Sequence, residues 1–199
     1  GRAGGGRRWM PLHSRHVTRG GVAIGMDLRA PFRRARPHDA RALAELIDRA
    51  GEGIPRLLWS RAADPGQDPL DVGTARAART GGGFSFTNAV VLDVDGTVAG
   101  MLLSYRLDDP YDVGDLTEVP EVVRPLIELE AAAPGSWYVN AVAVAPGFEG
   151  RGHGRALMGL AEDLGRDHGA PETSLIVADE NARARGLYER LGYVVRDRR

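Results

Sequence analysis

Residues 137–157, WYVNAVAVAPGFEGRGHGRAL, carry the pattern that decides the fold of this chain. The apolar run 139–145 predicts a strand, and Pro146 predicts that the strand ends in a turn. Glycines then alternate with charged residues up to Arg155, and apolar residues recur from Leu157 onward with helical spacing. The glycines are therefore expected at a helix N-terminus, where unpaired N–H groups and the helix dipole attract phosphate.

The glycine-rich loop has several possible interpretations from its residues alone. A P-loop requires GxxxxGK[ST], and this chain contains no lysine. A dinucleotide-binding loop requires GxGxxG early in a βαβ unit, whereas the spacing here is GxGxG in the last third of the chain. A helix-start turn that binds nothing also fits. The loop alone leaves a phosphate site and a simple turn open.

Residues 174–193 complete the C-terminal pattern. A short β-like run is followed by ADENARARGLYERLGY, in which Asn181 is a good N-cap and Gly192 a good C-cap. Apolar side chains between them recur at i, i+3, i+4 and i+7 and form one face that includes Tyr188. The last third is therefore predicted to be strand, phosphate-type loop, helix, strand, helix and final strand.

These two segments resemble the GCN5-related N-acetyltransferase (GNAT) superfamily. The loop matches the [QR]xxGx[GA] motif that wraps the pyrophosphate of acetyl-coenzyme A, with Gly152 and Gly154 at its glycine positions. NARARGLYERLGY is similar to the N…LYxxxGF tail of the family, with Asn181 and Tyr188 at the matching positions. The resemblance covers residues 28–199. It implies an α/β fold with a mixed, largely antiparallel central sheet flanked by helices.

The resemblance also implies a reaction, namely transfer of an acetyl group from acetyl-CoA to a primary amine without a covalent enzyme intermediate. Tyr188 would protonate the leaving thiolate, and the central strand would bind the pantetheine arm and polarise the thioester carbonyl. The residues implied in cofactor binding are Val142, Ala143, Val144, Glu149, Gly150, Arg151, Gly152, His153, Gly154, Arg155 and Asn181. A domain that binds acyl-CoA as a sensor, without catalysis, is the alternative.

Glu149 departs from the motif, which usually has Gln or Arg at this position. A carboxylate is favourable at a helix N-terminus but repels a nearby pyrophosphate. Either the side chain points outward or the affinity for the cofactor is reduced. The sequence leaves both outcomes open.

No motif identifies the general base that deprotonates the acceptor. Tyr138 and Asn140 flank the expected position on the central strand, although Asn cannot act as a base. The remaining candidates are Glu52, Glu128, Glu130 and a route through water.

The expected surroundings of the acceptor are acidic and aromatic. Residues 108–130 hold eight acidic residues against the single Arg124. This segment is either a solvated loop and helix or a negative rim that attracts a cationic amine. Trp59, Trp137 and Tyr138 are either core residues or part of the acceptor pocket.

Composition agrees with one cytoplasmic enzyme domain. A chain of 199 residues is long enough for one full core, and it has no cysteine for disulfides or thiolate chemistry. No apolar run approaches the length of a membrane span. We expect a small-molecule or peptide amine as the acceptor, and no metal, nucleic acid or membrane as a partner. The oligomeric state is open, with a homodimer as one option.

Residues 1–26 differ in composition from the rest of the chain. They are rich in arginine and glycine, contain no acid, and lack the apolar core of a secretory signal. A disordered or non-native leader is therefore expected, rather than a nucleic-acid-binding arm. A first strand over 28–36 and a helix over 38–50 follow, and variable acceptor-side insertions are expected at about 51–83 and 108–135.

The sequence VVLDVDGT, residues 90–97, supports two interpretations. Apolar runs over 84–94 and 97–107 flank an Asp95-Gly96 turn, which predicts a β-hairpin. The same residues match the DxDGT motif of haloacid-dehalogenase-like phosphatases, with Asp93 as nucleophile and Asp95 as acid/base. That chemistry needs Mg²⁺ and a basic residue, normally lysine, and the chain has none. The hairpin is favoured, and the phosphatase is a remote alternative.

Overall fold

The computed structural model describes residues 7–15 and 27–196. Its strands are β1 (Trp9–Arg15), β2 (Phe32–Arg34), β3 (Ala89–Val94), β4 (Thr97–Arg106), β5 (Trp137–Val144), β6 (Glu172–Ala178) and β7 (Val194–Val195). Its helices are α1 (Ala40–Ala50), α2 (Ile54–Ala62), α3 (Pro69–Ala77), α4 (Arg124–Ala131), α5 (His153–Asp167) and α6 (Ala182–Arg190). Short 3₁₀ helices, Pro37–Asp39 and Phe86–Asn88, precede α1 and β3. No helix of the described residues is long and apolar enough to cross a membrane.

The strands form a seven-stranded sheet in the order β2-β3-β4-β5-β6-β1-β7. The pairs β1–β6, β1–β7, β2–β3 and β3–β4 are antiparallel. The prediction of a mixed, largely antiparallel sheet flanked by helices is thus confirmed. The backbone divides into two compact units, which are described separately. The first unit contains 7–15, 106–138 and 162–196, and the second contains 27–105 and 139–161.

The second unit is built around a core to which α1, α3, β3, β4 and β5 contribute. Helix α1 turns Leu43, Ala44 and Ile47 into this core, at the spacing that places them on one helix face. Trp59 is a core residue as well, since it is only 4 % exposed. A Cβ at Gly73 would lie 2.5 Å from the Trp59 ring, so α2 and α3 approach at a point that only glycine permits.

The predicted first strand and helix exist, but with different limits. Strand β2 covers only three residues of the expected 28–36, because Pro31 has no N–H to donate to the ladder and Pro37 begins a 3₁₀ helix. Helix α1 follows at Ala40. The segment 51–83, expected to be a variable acceptor-side insertion, contains α2 and α3.

The β3–β4 hairpin predicted around Asp95-Gly96 is confirmed. Val94 pairs with Thr97, and Asp95 and Gly96 have positive φ angles of 51° and 81°. Asp93 accepts a hydrogen bond from the Gly96 N–H at 2.8 Å and one from Arg33 Nε at 2.7 Å. Both carboxylate oxygens of Asp93 therefore hold the turn and β2 in place, within antiparallel strands. This geometry contradicts the phosphatase alternative.

In the first unit, residues 9–15 are an ordered strand, so the expectation of a disordered leader is wrong for these residues. These residues form β1, which pairs with β6 over its whole length, from Trp9 opposite Ala178 to Arg15 opposite Glu172. The side chains of Met10 and Leu12 are only 1 % exposed. Burial of this apolar surface stabilises the strand. Residues 1–6 and 16–26, the rest of the predicted leader, lie outside the described residues.

Candidate functional site

The glycine-rich loop lies where the sequence predicts it, between β5 and α5. Gly147, Gly150 and Gly152 have positive φ angles of 85°, 74° and 82°, and no atom lies within 4 Å of a Cβ built on any of them. The Ala156 N–H donates to the Gly152 carbonyl at 3.0 Å. The N–H groups of residues 152–155 are therefore in the positions that an α-helix leaves without an intrahelical acceptor. The loop combines open space with helix-terminal donors, which is the geometry of an anion site.

Two arginines lie at the surface of this loop. Arg151 and Arg155 are both exposed, and the Arg151 guanidinium lies 5.6 Å from the centre of the Phe148 ring. A guanidinium over an aromatic ring is held by a cation–π interaction while its N–H groups stay directed to solvent. Arginine at such a position donates charge-assisted hydrogen bonds to phosphate. His153, the first residue of α5, is half-buried.

Glu149 forms an ion pair with Arg49 in the last turn of α1. Both side chains are more than one third exposed, so water screens the pair and its contribution to stability is small. The arginine nevertheless offsets the negative charge that Glu149 places in the loop. Sequence reasoning missed this partner because 100 residues separate the two positions.

Strand β5 presents two different faces. Ala141 and Ala143 are buried in the core of the second unit, whereas Asn140, Val142 and Val144 alternate with them and are only half-buried. The alternation follows from the two-residue period of a strand. The half-buried face leads directly into the glycine-rich loop, and therefore offers an apolar surface next to the anion site.

A polar pair lies at the start of the half-buried face in the second unit. Asn140 Nδ2 donates to the Tyr105 hydroxyl at 3.3 Å. A Cβ at Gly83 would come within 2.8 Å of the same hydroxyl, so the backbone of the Gly81–Gly83 turn lies directly against this pair. Asn140 is thereby fixed in orientation by β4.

In the first unit, Asn181 directly precedes α6 and Tyr188 lies on it, as the sequence predicts. Asn181 Oδ1 accepts a hydrogen bond from the Ala184 N–H at 3.0 Å, so Asn181 is the N-cap of the helix. Gly192 follows the helix with a positive φ angle of 88°, as a C-cap glycine does. Tyr188 is 8 % exposed, and burial raises the pKa of its hydroxyl to about 12. Its ring centre lies 6.0 Å from that of Tyr193.

The first unit also contains a carboxylate cluster that no sequence motif indicates. The Tyr111 hydroxyl donates to Glu130 Oε2 at 2.6 Å, and the Tyr138 hydroxyl bonds to the same carboxylate. Burial raises the pKa of Glu130 above its usual range, and the two hydroxyl groups lower it only in part. The three residues come from a loop, from α4 and from β5. Because the three residues lie on three different elements, no local pattern brings them together, and the sequence identifies Glu130 only as one candidate among several.

The remaining acidic candidates are mostly exposed, and the remaining aromatic candidates are buried. Of the eight acids in 108–130, seven are exposed and Glu130 alone is half-buried. Trp137 and Tyr138 are buried core residues of the first unit, and the Trp137 ring stacks on His168 at 4.5 Å between centres. The acidic segment is therefore mainly a solvated surface, with one carboxylate directed inward.

The predicted site residues are distributed over both units. Val142, Ala143, Val144 and the loop 149–155 lie together on one continuous strand–loop–helix segment of the second unit. Asn181, the N-cap of α6, and Tyr188, within α6, lie in the first unit.

A sequence model of the acetyltransferase (GNAT) family matches residues 54–193 of this chain, which is more than half of its length. The chain belongs to this family. The match includes β5, the glycine-rich loop, α5 and α6. Members of the family use acetyl-CoA as the acetyl donor.

One curated relative matches part of the chain. The chain is 46 % identical to a mycothiol acetyltransferase of Beutenbergia cavernae over 67 residues, which are 34 % of this chain and 22 % of that relative. The match thus spans about a fifth of the curated relative.

Two solved structures share the fold. One is an acetyltransferase, with a TM-score of 0.56, 21 % identity and coverage of 80 % of this chain and 87 % of the other. The second is an N-acetyltransferase of Staphylococcus aureus Mu50, with a TM-score of 0.55, 19 % identity and coverage of 83 % and 91 %. At these identities the likeness shows the fold alone.

Proposed function

We propose that this chain transfers the acetyl group of acetyl-CoA to a primary amine. The observation that carries the proposal is the glycine-rich loop at the N-terminus of α5, directly after the half-buried face of β5, in a chain of the acetyltransferase family. Helix-terminal N–H groups and surface arginines suit a pyrophosphate, and an apolar strand face suits an extended pantetheine arm. The absence of cysteine suits a reaction in the cytoplasm.

Each proposed site residue has a role that follows from its position. The N–H groups of 150–155 and the side chains of Arg151 and Arg155 would bind the pyrophosphate. The backbone of Val142, Ala143 and Val144 would pair with the pantetheine amides, and an N–H there would polarise the thioester carbonyl. Asn181 would contact the cofactor in addition to capping α6.

Tyr188 would protonate the sulfur of the departing CoA. With a pKa of about 12, its hydroxyl keeps its proton at neutral pH, as a proton donor must. The burial that raises this pKa also disfavours a thiolate anion beside it, so proton transfer to sulfur becomes easier than it is in water.

The proposal is tested by calorimetry with acetyl-CoA, CoA, and ATP plus Mg²⁺, combined with an assay of thiol release. Acetyl-CoA and CoA should bind and ATP should not compete with them. Thiol release should appear with at least one amine from a panel of polyamines, amino sugars, amino acids and peptide N-termini. Absence of CoA binding would remove the proposal. Binding without release for any amine would favour the acyl-CoA sensor instead.

Gly152→Ala is expected to weaken acetyl-CoA binding about 10-fold, which corresponds to about 1.4 kcal/mol. Alanine disfavours the left-handed backbone of Gly152, so the loop shifts and its N–H groups lose their common orientation. Gly66→Ala is the matched control, because Gly66 has a φ angle of 85° and the same open space but lies between α2 and α3. Calorimetry measures both dissociation constants. Equal effects of the two variants would contradict a phosphate role for the loop.

Glu149→Gln is expected to tighten acetyl-CoA binding about 2- to 5-fold, because it removes a negative charge near the pyrophosphate. Arg49→Ala should weaken binding by a similar factor, because it leaves the Glu149 carboxylate without this arginine. Both effects should shrink in about 1 M salt, where the screening length is about 3 Å. Weaker binding by Glu149→Gln would instead show that the carboxylate itself holds the cofactor.

A further inference from the structure

Arg49 joins the last turn of α1 to the glycine-rich loop, and both elements lie in the second unit. Apolar packing anchors the two elements independently of this ion pair. Ala50, the residue after Arg49, and Ala145, the residue before the Pro146 turn, pack against the same hydrophobic core. The backbone that carries Arg49 is therefore held in place whether or not its guanidinium is paired.

Arg49 pairs with the loop although α1 itself offers nearer acids. Glu45 lies one turn before Arg49, at a spacing that permits an ion pair on a helix surface, but it lies 3.8 Å from Arg41 Nε. Asp48 accepts hydrogen bonds from the backbone N–H and from Nε of Arg56, at 2.9 Å and 3.1 Å. The acids of α1 near Arg49 thus serve other arginines, and its guanidinium is directed to the loop.

The guanidinium of Arg49 keeps donors for a further acceptor. An arginine side chain carries five N–H donors in a planar fork. Nη2 donates to Glu149 Oε1, and within residues 7–15 and 27–196 this carboxylate is the hydrogen-bond partner of Arg49. The Arg49 side chain is 42 % exposed, so its other N–H groups can reach a ligand that arrives from solution.

The charges around the loop favour a doubly negative group. Residues 147–155 hold two arginines and one glutamate, which gives the loop a net charge of +1 with His153 neutral. Arg49 raises this charge to +2. Each phosphate of a pyrophosphate diester carries one negative charge, and planar guanidinium groups bind phosphate oxygens through charge-assisted hydrogen bonds. With Arg49, the side chains around the loop therefore balance a pyrophosphate.

We propose that Arg49 donates directly to the pyrophosphate of acetyl-CoA, and that Glu149 orients its guanidinium at the loop for this contact. The inference rests on the proposed function and adds to it a binding residue from α1, far from the loop in sequence. It differs from a role in which Arg49 only offsets the charge of Glu149. An arginine with only that role loses its effect once the carboxylate is gone, whereas an arginine that binds phosphate retains it.

The test is a double-mutant cycle at positions 49 and 149, measured by calorimetry with CoA. Glu149→Gln removes the charge but keeps an oxygen that can accept a hydrogen bond from Arg49. In this background, Arg49→Ala should still weaken CoA binding about 2- to 5-fold, the range of an exposed charged contact. An unchanged dissociation constant in this background would overturn the inference.

Arg41→Ala is the matched control, because Arg41 is also an exposed and ion-paired arginine of α1. Its removal should leave the dissociation constant for CoA unchanged. Equal losses in Arg41→Ala and Arg49→Ala would reduce the effect to overall charge and overturn the inference. Arg49→Gln, which keeps most of the aliphatic side chain, should repeat the loss of Arg49→Ala with an unchanged urea midpoint, so that a folding defect is recognised.

A second ligand, 3′-dephospho-CoA, identifies the phosphate that Arg49 contacts, because it keeps the pyrophosphate and lacks the 3′-phosphate. The loss in Arg49→Ala should be the same factor for both ligands. A loss confined to CoA would assign Arg49 to the 3′-phosphate and overturn the inference. If the wild type binds CoA and Arg49 has no effect, the inference alone falls. If the wild type binds neither ligand, the proposed function fails on its own measurement and the inference fails with it.

Discussion

Tyr188→Phe is expected to lower kcat about 100-fold, at the low end of the range for loss of a general acid. The variant removes one oxygen from a residue that is 8 % exposed and leaves the apolar contacts of the ring unchanged. The departing thiolate then has to leave without a proton from the enzyme. Steady-state release of CoA measures kcat, and calorimetry should give an unchanged dissociation constant for acetyl-CoA.

Tyr193→Phe is the matched control for this experiment. Tyr193 is also buried, lies 6.0 Å from Tyr188 between ring centres, and has a pKa raised by burial in the same way. Its loss should leave kcat within a few-fold of the wild type. A pH profile adds a further check, since a pKa of about 12 means that Tyr188 should cause no loss of activity between pH 7 and about pH 10. Unchanged turnover in Tyr188→Phe would remove its assignment as the proton donor.

Leu12→Ala is expected to lower the free energy of unfolding by about 2 to 5 kcal/mol, the usual range for a buried leucine truncated to alanine. Leu12 is 1 % exposed and lies in the centre of β1, opposite Leu175 on β6. Removal of three carbon atoms there leaves a cavity that the paired strands cannot easily close. Urea denaturation followed by circular dichroism measures the change.

Val194→Ala provides the comparison, because Val194 lies on β7 beside β1 but is 59 % exposed. Its truncation should cost less than about 1 kcal/mol, as surface substitutions usually do. A loss of similar size in both variants would mean that β1 is not a buried part of the fold. A small effect of Leu12→Ala would restore the interpretation of residues 9–15 as a dispensable leader.

The sequence predicts the parts of the fold that depend on neighbouring residues. The hairpin at Asp95-Gly96 follows from turn chemistry, and the N-cap at Asn181 follows from the side-chain oxygen that a helix start needs. The start of α5 follows from glycines placed before a periodic apolar face. In each case the decisive residues lie within about ten positions of one another, so their pattern is visible in the chain itself.

The features that the sequence does not predict depend on distant partners. Strand β1 contains Pro11 and lies next to segments rich in arginine and glycine, and its pairing with β6 and β7 makes it a strand. The Arg49–Glu149 ion pair and the Glu130 cluster likewise join residues from separate segments. No local pattern reports such contacts. For Glu149, the motif alone correctly marks an unusual charge but cannot reveal the arginine that offsets it.

The pairing of β1 with β6 has a consequence for how the protein is made. His13 and Glu172, whose side chains are hydrogen-bonded in the folded state, are 159 residues apart. A ribosome therefore releases the apolar strand long before it synthesises the partner that covers it, and in that interval the strand is exposed to other chains. Contacts of such long sequence separation also slow folding. Expression at low temperature, or with a holdase chaperone bound to the nascent β1 segment, should therefore raise the yield of native protein.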